Sequence, residues 1–450
     1  MRAMPDKNKG VGKLLGTITS LHEIKAMRNW RPCDPRRQHQ LAAQLTGWLA
    51  TATSPDPLHL TIVIPDETRP LAPERVLPSV LDAVAEASRR RGALIRATVL
   101  IATGLHRAPG AAFVQAVERA LEPFARDPAL EVTWHVHDPG EADKASKPLN
   151  PLVMSRRQGG GADRVVVVGL VEPHQYAGFS GGSKALSVGC GSTETIRSMH
   201  SLELLRQPGV QIGKVEGNPF RERLDQIAAR HAAPTFTVAL VPDPTEEGEI
   251  AGLFADASGR AFDAAVTMAR RVLVVPLRRQ FDFALLGVPE SKAASLYQAS
   301  RALTYLALHD SPCVKPGGTL VLMARCPEGF GQGRGERAFQ EALGRGKDKL
   351  LAELAGKRKV VGPVDGGAQR AYVLARAMSR YRCALVGAGD LPEAAHAGLT
   401  LASDISALGL AGAGLIVDDP FVLMPYHDAR EGAAFDRLVE LSDRAPGGAA

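Results

Sequence analysis

The alternation of strand-like runs with helix-like stretches constrains this chain most. Residues 60–64 (Leu-Thr-Ile-Val-Ile) are a short apolar, β-branched run, the pattern of a buried strand. The loop Asp66-Glu67-Thr68-Arg69-Pro70 follows. Pro73 then opens a stretch with Val76, Leu77, Val80, Leu81 and Val84 at helical spacing, closed by Gly92. Residues 95–102 repeat the strand pattern and lead into Thr103-Gly104-Leu105-His106. Strands are expected again at 132–136, 165–168 and 236–241, then a helix over 258–271 leading into the apolar residues 272–275. A second series has strands at 318–323, 360–361 and 383–386, with a helix around 296–308. Strand then helix, repeated, predicts mostly parallel sheets with helices on their faces. The expected class is α/β: two α/β domains with an active site in the cleft between them.

At 450 residues the chain exceeds what one core supports. Residues 1–57 read as a polar, arginine-rich lead-in or arm, 58–270 as a cofactor-binding domain and 271–415 as a second α/β domain on the substrate side. Residues 416–450 read as a C-terminal segment packing back on the first domain. The net charge of +6 is dispersed and forms no basic groove interleaved with aromatics, which argues against nucleic acid as a partner. Anionic small molecules suit it better. The five cysteines (Cys33, Cys190, Cys313, Cys326 and Cys383) form no CxxC pair and leave an odd count, as expected of a reducing cytoplasm. No run approaches the ~20 apolar residues of a membrane helix, and the N-terminus lacks a signal-peptide core.

The chemistry concentrates in Glu172–Ser201. Two histidines, His174 and His200, bracket the turn Gly178-Phe179-Ser180-Gly181-Gly182-Ser183, which hands the chain to Lys184 just after a predicted strand. Open α/β sheets place ligands at such strand ends. The turn has the small residues of an anion-cradling loop, but its spacing is not that of a Walker A motif and Ala185 follows the lysine. A tight turn with a solvated lysine fits the same residues. Lys184 is compatible with a Schiff base, a phosphate contact or a cofactor anchor. His200 falls in a helix whose N-cap is Ser192, with Ile196 and Met199 on the buried face. His106 and His174 follow strands and suit proton transfer at a carbon bearing a hydroxyl, although either alone also reads as a hydrogen-bonded loop histidine. Asp66 and Arg69 pair with each other or contact a nucleotide. Gln298 and Arg301, beside Tyr297, are an i,i+3 pair suited to a carboxylate. A zinc site from His106, His174, His200 and Cys190 matches no short metal motif.

In order and spacing, Asp66-x-Thr68-Arg69-Pro70, Thr103-Gly-Leu-His106, Glu172-Pro-His-Gln-Tyr-Ala-Gly-Phe-Ser-Gly-Gly-Ser-Lys184 and Glu194-Thr-Ile-Arg-Ser-Met-His200 resemble the nickel-dependent lactate racemase family. Gly217-Asn218-Pro219 and Leu296-Tyr297-Gln298 also fit. The resemblance runs from about residue 58 to the last strands.

The resemblance implies a nickel(II) pyridinium-3,5-bisthiocarboxylic acid mononucleotide, the nickel-pincer nucleotide, covalently attached at Lys184 with His200 as the protein ligand to nickel. Asp66, Thr68 and Arg69 would hold the nucleotide, and His106 and His174 would be the acid/base pair. Tyr297, Gln298 and Arg301 would bind a small-molecule 2-hydroxy acid. The implied reaction is racemisation or epimerisation by reversible hydride transfer from the substrate Cα, with cofactor-synthesis proteins as partners. Another hydride-transfer or isomerase reaction in the same scaffold and a non-catalytic nucleotide-binding paralogue are the alternatives. The chain departs from the family at Arg301, where the clamp has a lysine, at Val188-Gly189 in place of Pro-Gly, and at Gln369 in place of an aromatic residue. These departures bear on the substrate rather than the cofactor.

Overall fold

In the computed structural model, residues 18–24, 36–53, 57–69, 71–246, 248–357 and 367–430 are described. Cys33, Pro70 and the strand expected at 360–361 lie outside them. Val165, Val166, Val167 and Val168 are at most 1% exposed, as a strand covered on both faces requires. They belong to β5 (Arg164–Leu170), in a six-stranded sheet with β2 (Leu58–Pro65), β3 (Ile95–Ala102), β4 (Leu130–Val136), β8 (Thr235–Pro242) and β9 (Ile250–Asp256). The order is β4-β3-β2-β5-β8-β9, parallel except for β9, which runs antiparallel to β8. The helix Pro73–Arg91 buries Val76, Leu77, Val80, Leu81 and Val84, and Gly92 ends it in the left-handed conformation at φ 62°.

The second six-stranded sheet has β1 (Ile18–Ile24), β11 (Phe281–Gly287), β12 (Val314–Met323), β13 (Arg382–Val386), β14 (Thr400–Ala402) and β15 (Gly412–Val417). Its order is β1-β15-β11-β12-β13-β14, parallel throughout. Two short pairs complete the strands: the hairpin β6 (Pro173–His174) and β7 (Gly178–Phe179), and the parallel pair β10 (Val274–Leu277) and β16 (Met424–His427). The α/β class with mostly parallel sheets is thus as expected.

The lead-in contributes to both sheets. β1 is an edge strand of the second, while the helix Arg36–Ala50 buries Leu41, Leu45 and Leu49 in the core of the first. At the other end, β16 pairs with β10 and Val422 packs against a cluster containing Val171 and Phe179. No helix among the described residues is long and apolar enough to cross a membrane.

Candidate active site

Both sheets reverse their direction of growth once, and the expected site residues gather at those two places. In the first sheet the chain moves from β2 outward to β3 and β4, then returns to place β5 on the other side of β2. Loops leaving the carboxyl ends of β2 and β5 therefore diverge and leave a crevice, the usual ligand position of an open α/β sheet. The Asp66–Arg69 loop follows β2, His106 follows β3, and Glu172–Lys184 follows β5. Arg69 Nη1 spans the divergence and donates to Glu172 Oε2 at 2.9 Å. In the second sheet the reversal lies between β11 and β15. The chain beyond β11 leads to Tyr297, Gln298 and Arg301. Beyond β15 it leads to Phe421, over whose ring the Arg301 guanidinium lies 5.0 Å from the centroid.

Two hydrogen bonds join these loop sets. Lys292 Nζ donates to the Thr68 carbonyl at 2.6 Å, and Thr304 Oγ1 donates to Gln175 Oε1 at 3.1 Å. The helix expected at 296–308 is two short ones, Leu296–Ala299 and Arg301–Ala307, and Ser295 Oγ caps the first by accepting from Gln298 N.

The glycine-rich turn is held from outside. Gly178 sits at φ 75°, and a Cβ there would lie 1.9 Å from the Lys214 carbonyl oxygen. Arg221, 3% exposed, donates from Nη1 to the Gly181 carbonyl at 3.2 Å and from Nη2 to the Phe179 carbonyl, with its guanidinium 4.5 Å from the Phe262 ring centroid. Asn218 Nδ2 donates to the carbonyls of Tyr176 at 2.8 Å and Lys214 at 2.9 Å. Its Oδ1 meanwhile caps the helix Pro219–His231. Gly178→Ala should therefore destabilise the protein by about 3 kcal/mol or more, since backbone rather than a mobile side chain blocks the Cβ. Gly389→Ala, with no atom within 4 Å of its Cβ, is the control. Equal thermal midpoints for the two variants would contradict this account.

Four titratable groups face one another's fields. Burial first, then the Arg69 and Arg221 charges, push the Lys184 amine down to about 7, and among the described residues no hydrogen bond or ion pair holds it. His200 ends the helix Thr193–Met199, whose N-cap is Ser192 as expected, and its Nδ1 donates to the Ile196 carbonyl at 2.8 Å. That bond puts the lone pair on Nε2, and burial pushes the imidazole down to about 4, so it is neutral.

The other two histidines have opposite settings. His174 Nδ1 accepts from the backbone N–H groups of Tyr176 at 3.3 Å and Ala177 at 3.2 Å, which places its proton on Nε2. Burial, with the Lys184 and Arg69 charges, holds it well below the ordinary histidine range. His106 Nδ1 lies 2.7 Å from Asp66 Oδ2, so it donates to that carboxylate and leaves Nε2 as the free base nitrogen. Burial alone would raise the Asp66 carboxyl. The hydrogen bonds from His106 and Thr68 and the nearby Arg69 outweigh burial and hold it at about 2.

Residues 51–213 match the family model described as the lactate racemase N-terminal domain. Over those residues the chain resembles that domain. Over 313 residues the chain is 27% identical to a lactate racemase of Thermoanaerobacterium thermosaccharolyticum, covering 66% of this chain and 68% of that one. It is 26% identical to a lactate racemase of Lactiplantibacillus plantarum over 276 residues, 61% of each chain. The structure of the lactate racemase apoprotein from T. thermosaccharolyticum superposes with a TM-score of 0.69 at 20% identity, covering 91% of this chain and 95% of that one. A Thermotoga maritima protein gives a TM-score of 0.63 at 17% identity, covering 89% of this chain and all of that one. The resemblance read from the motifs is thereby shown.

Within the matched residues 51–213 lie Asp66, Thr68, Arg69, His106, His174, Lys184 and His200, while Tyr297, Gln298 and Arg301 follow β11 of the second sheet, and the Arg301 charge acts on His174 and Lys184. Asp66 and Thr68 are bound to each other, Thr68 N and Oγ1 donating to Asp66 Oδ1 at 3.1 and 2.5 Å. Asp66 thus orients His106, and Arg69 pairs with Glu172 rather than with Asp66. Gln369 is buried and accepts from Gly367 N at 2.8 Å, fixing the start of the helix Ala368–Arg380. The reading of the motifs gave no role to Glu172, Tyr176, Arg221 or Arg370. Their roles arise from tertiary neighbours, although Glu172 and Tyr176 lie in the quoted motif and Gly-Asn-Pro introduces Arg221. Burial pushes the Cys190 thiol up, and among the described residues no three His, Cys, Asp or Glu side chains group as a metal site.

Proposed function

We propose that this chain racemises or epimerises a 2-hydroxy acid, with residues 58–270 holding a nickel-pincer nucleotide and residues 271–415 holding the substrate. One observation carries the reading. A half-buried amine without a partner among the described residues, Lys184, shares its electrostatic surroundings with an imidazole whose lone pair is on Nε2, His200, and with a carboxylate-oriented base, His106. The donor set fits the cofactor. An amine about half deprotonated at pH 7 is competent for acylation, and one neutral imidazole is the single ligand that a group bringing its own sulfur donors needs. When bound, the cofactor would supply a reversible hydride acceptor for the substrate Cα.

The chain's own residues do the rest. Arg301 and Gln298 hold the carboxylate, the guanidinium giving two parallel donors where an ammonium gives a point charge. His106 Nε2 takes the hydroxyl proton, and Asp66 stabilises the imidazolium that results. His174, on the adjoining hairpin, faces the same charges and is the acid partner: its two backbone bonds keep the ring neutral with Nε2–H directed as the donor to the reacting oxygen.

Protein purified from cells that make the cofactor should contain about one nickel per chain and an intact mass above that of the sequence. Racemisation in D2O should retain hydrogen at C2, because an internally returned hydride does not exchange with solvent. Unmodified, nickel-free protein from such cells would sink the proposal. Deuterium at C2 would replace hydride return by enolisation.

A further inference from the structure

Two buried polar atoms near the substrate clamp have no hydrogen-bond partner among the described residues. Arg370, 9% exposed, lies in the first turn of the helix Ala368–Arg380. Its Nη1 donates to the Tyr297 carbonyl at 2.6 Å and its guanidinium stacks 3.5 Å from the Tyr297 ring centroid, but its Nε is bound to nothing. The hydroxyl of Tyr176, 4% exposed, is likewise orphaned.

These groups are neighbours. Val373, one turn beyond Arg370 on the same helix face, packs in one cluster with Tyr176 and Met199. Tyr176 meets the His200 ring edge-on at 6.0 Å between centroids. The Arg370 charge also acts on Tyr176, His200 and Arg301. Among the described residues no carboxylate pairs with Arg370 or Arg301.

The other cations around the site have occupations. Arg69 is paired with Glu172, Arg221 holds the carbonyls of the glycine-rich turn, and Lys292 donates to Thr68. Lys184 is the covalent anchor under the proposed function, and Arg301 meets the carboxylate beside the reacting carbon. Among these cations only Arg370 keeps a buried N–H unbonded, at Nε. An uncompensated buried charge is costly unless an anion joins it, and a guanidinium beside a phenol hydroxyl is a carboxylate receptor.

We infer that Arg370 and Tyr176 form a second anion subsite, so that the substrate is a 2-hydroxy acid with a second, distal carboxylate. The inference rests on the proposed function for the assignment of Arg301 to the first carboxylate. Arg301 and Arg370 then bind the two ends of one dianion, and Arg370, stacked on Tyr297, selects it over a monoanion.

Binding of unreactive acids separates this inference from turnover. Calorimetric titration of the purified holoprotein with succinate and with butyrate compares two four-carbon acids, neither with a hydroxyl to react. Succinate should bind about 30-fold more tightly or better, the effect of a buried charge pair. Arg370→Gln should bring the two acids within about threefold, and Arg370→Lys should restore part of the preference. Equal binding of the two acids by the unaltered protein, or binding of neither, overturns the inference without any variant. A preference that survives in Arg370→Gln also overturns it. The intact mass of Arg370→Gln should still show the adduct at Lys184. Its loss would assign Arg370 to the cofactor's phosphate instead. If succinate is preferred but no 2-hydroxy acid is turned over, the racemase proposal fails and the subsite stands.

Discussion

Lys184→Met should emerge from cofactor-producing cells at its sequence mass and without measurable racemisation, a loss of roughly 10⁴-fold or more. The amine at this position is chemically unusual for a lysine. Burial, followed by the Arg69 and Arg221 charges, brings it down to about 7. About half the side chains are then neutral nucleophiles at pH 7, against roughly one in a few thousand for a solvated lysine. Attachment of supplied cofactor should therefore quicken through pH 7 and level off above about pH 8. A rate still climbing toward pH 10 would show an ordinary lysine. Lys184→Arg should fail as fully as methionine, because a guanidinium stays protonated. His200→Ala separates anchor from ligand, since it should keep the mass increment and lose the nickel. An adduct retained in Lys184→Met would move the anchor elsewhere and remove the main support for the proposed cofactor.

How much of this was legible in the sequence differs from element to element. β5 is β-branched and continuous, so burial on both faces could be read directly, and Gly92 marks the end of its helix by its left-handed backbone. β11, the strand at the reversal of the second sheet, escaped because Phe-Asp-Phe-Ala-Leu-Leu-Gly lacks β-branched residues and suits a helix equally. Glycines interrupt the pattern of β15 in the same way. The candidate site was legible wherever a single loop carried its residues, as between His174 and Lys184. It was not legible where distant residues complete it. Arg221 holds carbonyls about 40 residues away, and Glu172 meets Arg69 across 103 positions. Asp66 was expected on the nucleotide but faces a histidine 40 residues on, a pairing that depends on β2 and β3 lying side by side.

Asp66→Asn should lower kcat/KM about 10⁴-fold while leaving cofactor loading intact, because it reverses the tautomer of His106. Two donors, Thr68 N and Thr68 Oγ1, meet Asp66 Oδ1. An asparagine must turn its carbonyl oxygen toward them, which points its NH2 at His106 Nδ1. That nitrogen then has to accept, the proton moves to Nε2, and the base nitrogen is lost. His174 cannot substitute, since the backbone N–H groups at its Nδ1 already keep its proton on Nε2. If the reaction is a racemisation, its equilibrium constant is fixed by symmetry, so kcat/KM must fall by the same factor from either enantiomer even though kcat need not. Asp66→Glu keeps the charge but lengthens the arm, and should recover part of the rate only if orientation of His106 is what Asp66 supplies. If Asp66 instead held the nucleotide, Asp66→Asn would lose nickel and the mass increment together with the activity. Measuring the three on one preparation decides between an orienting carboxylate and a cofactor contact.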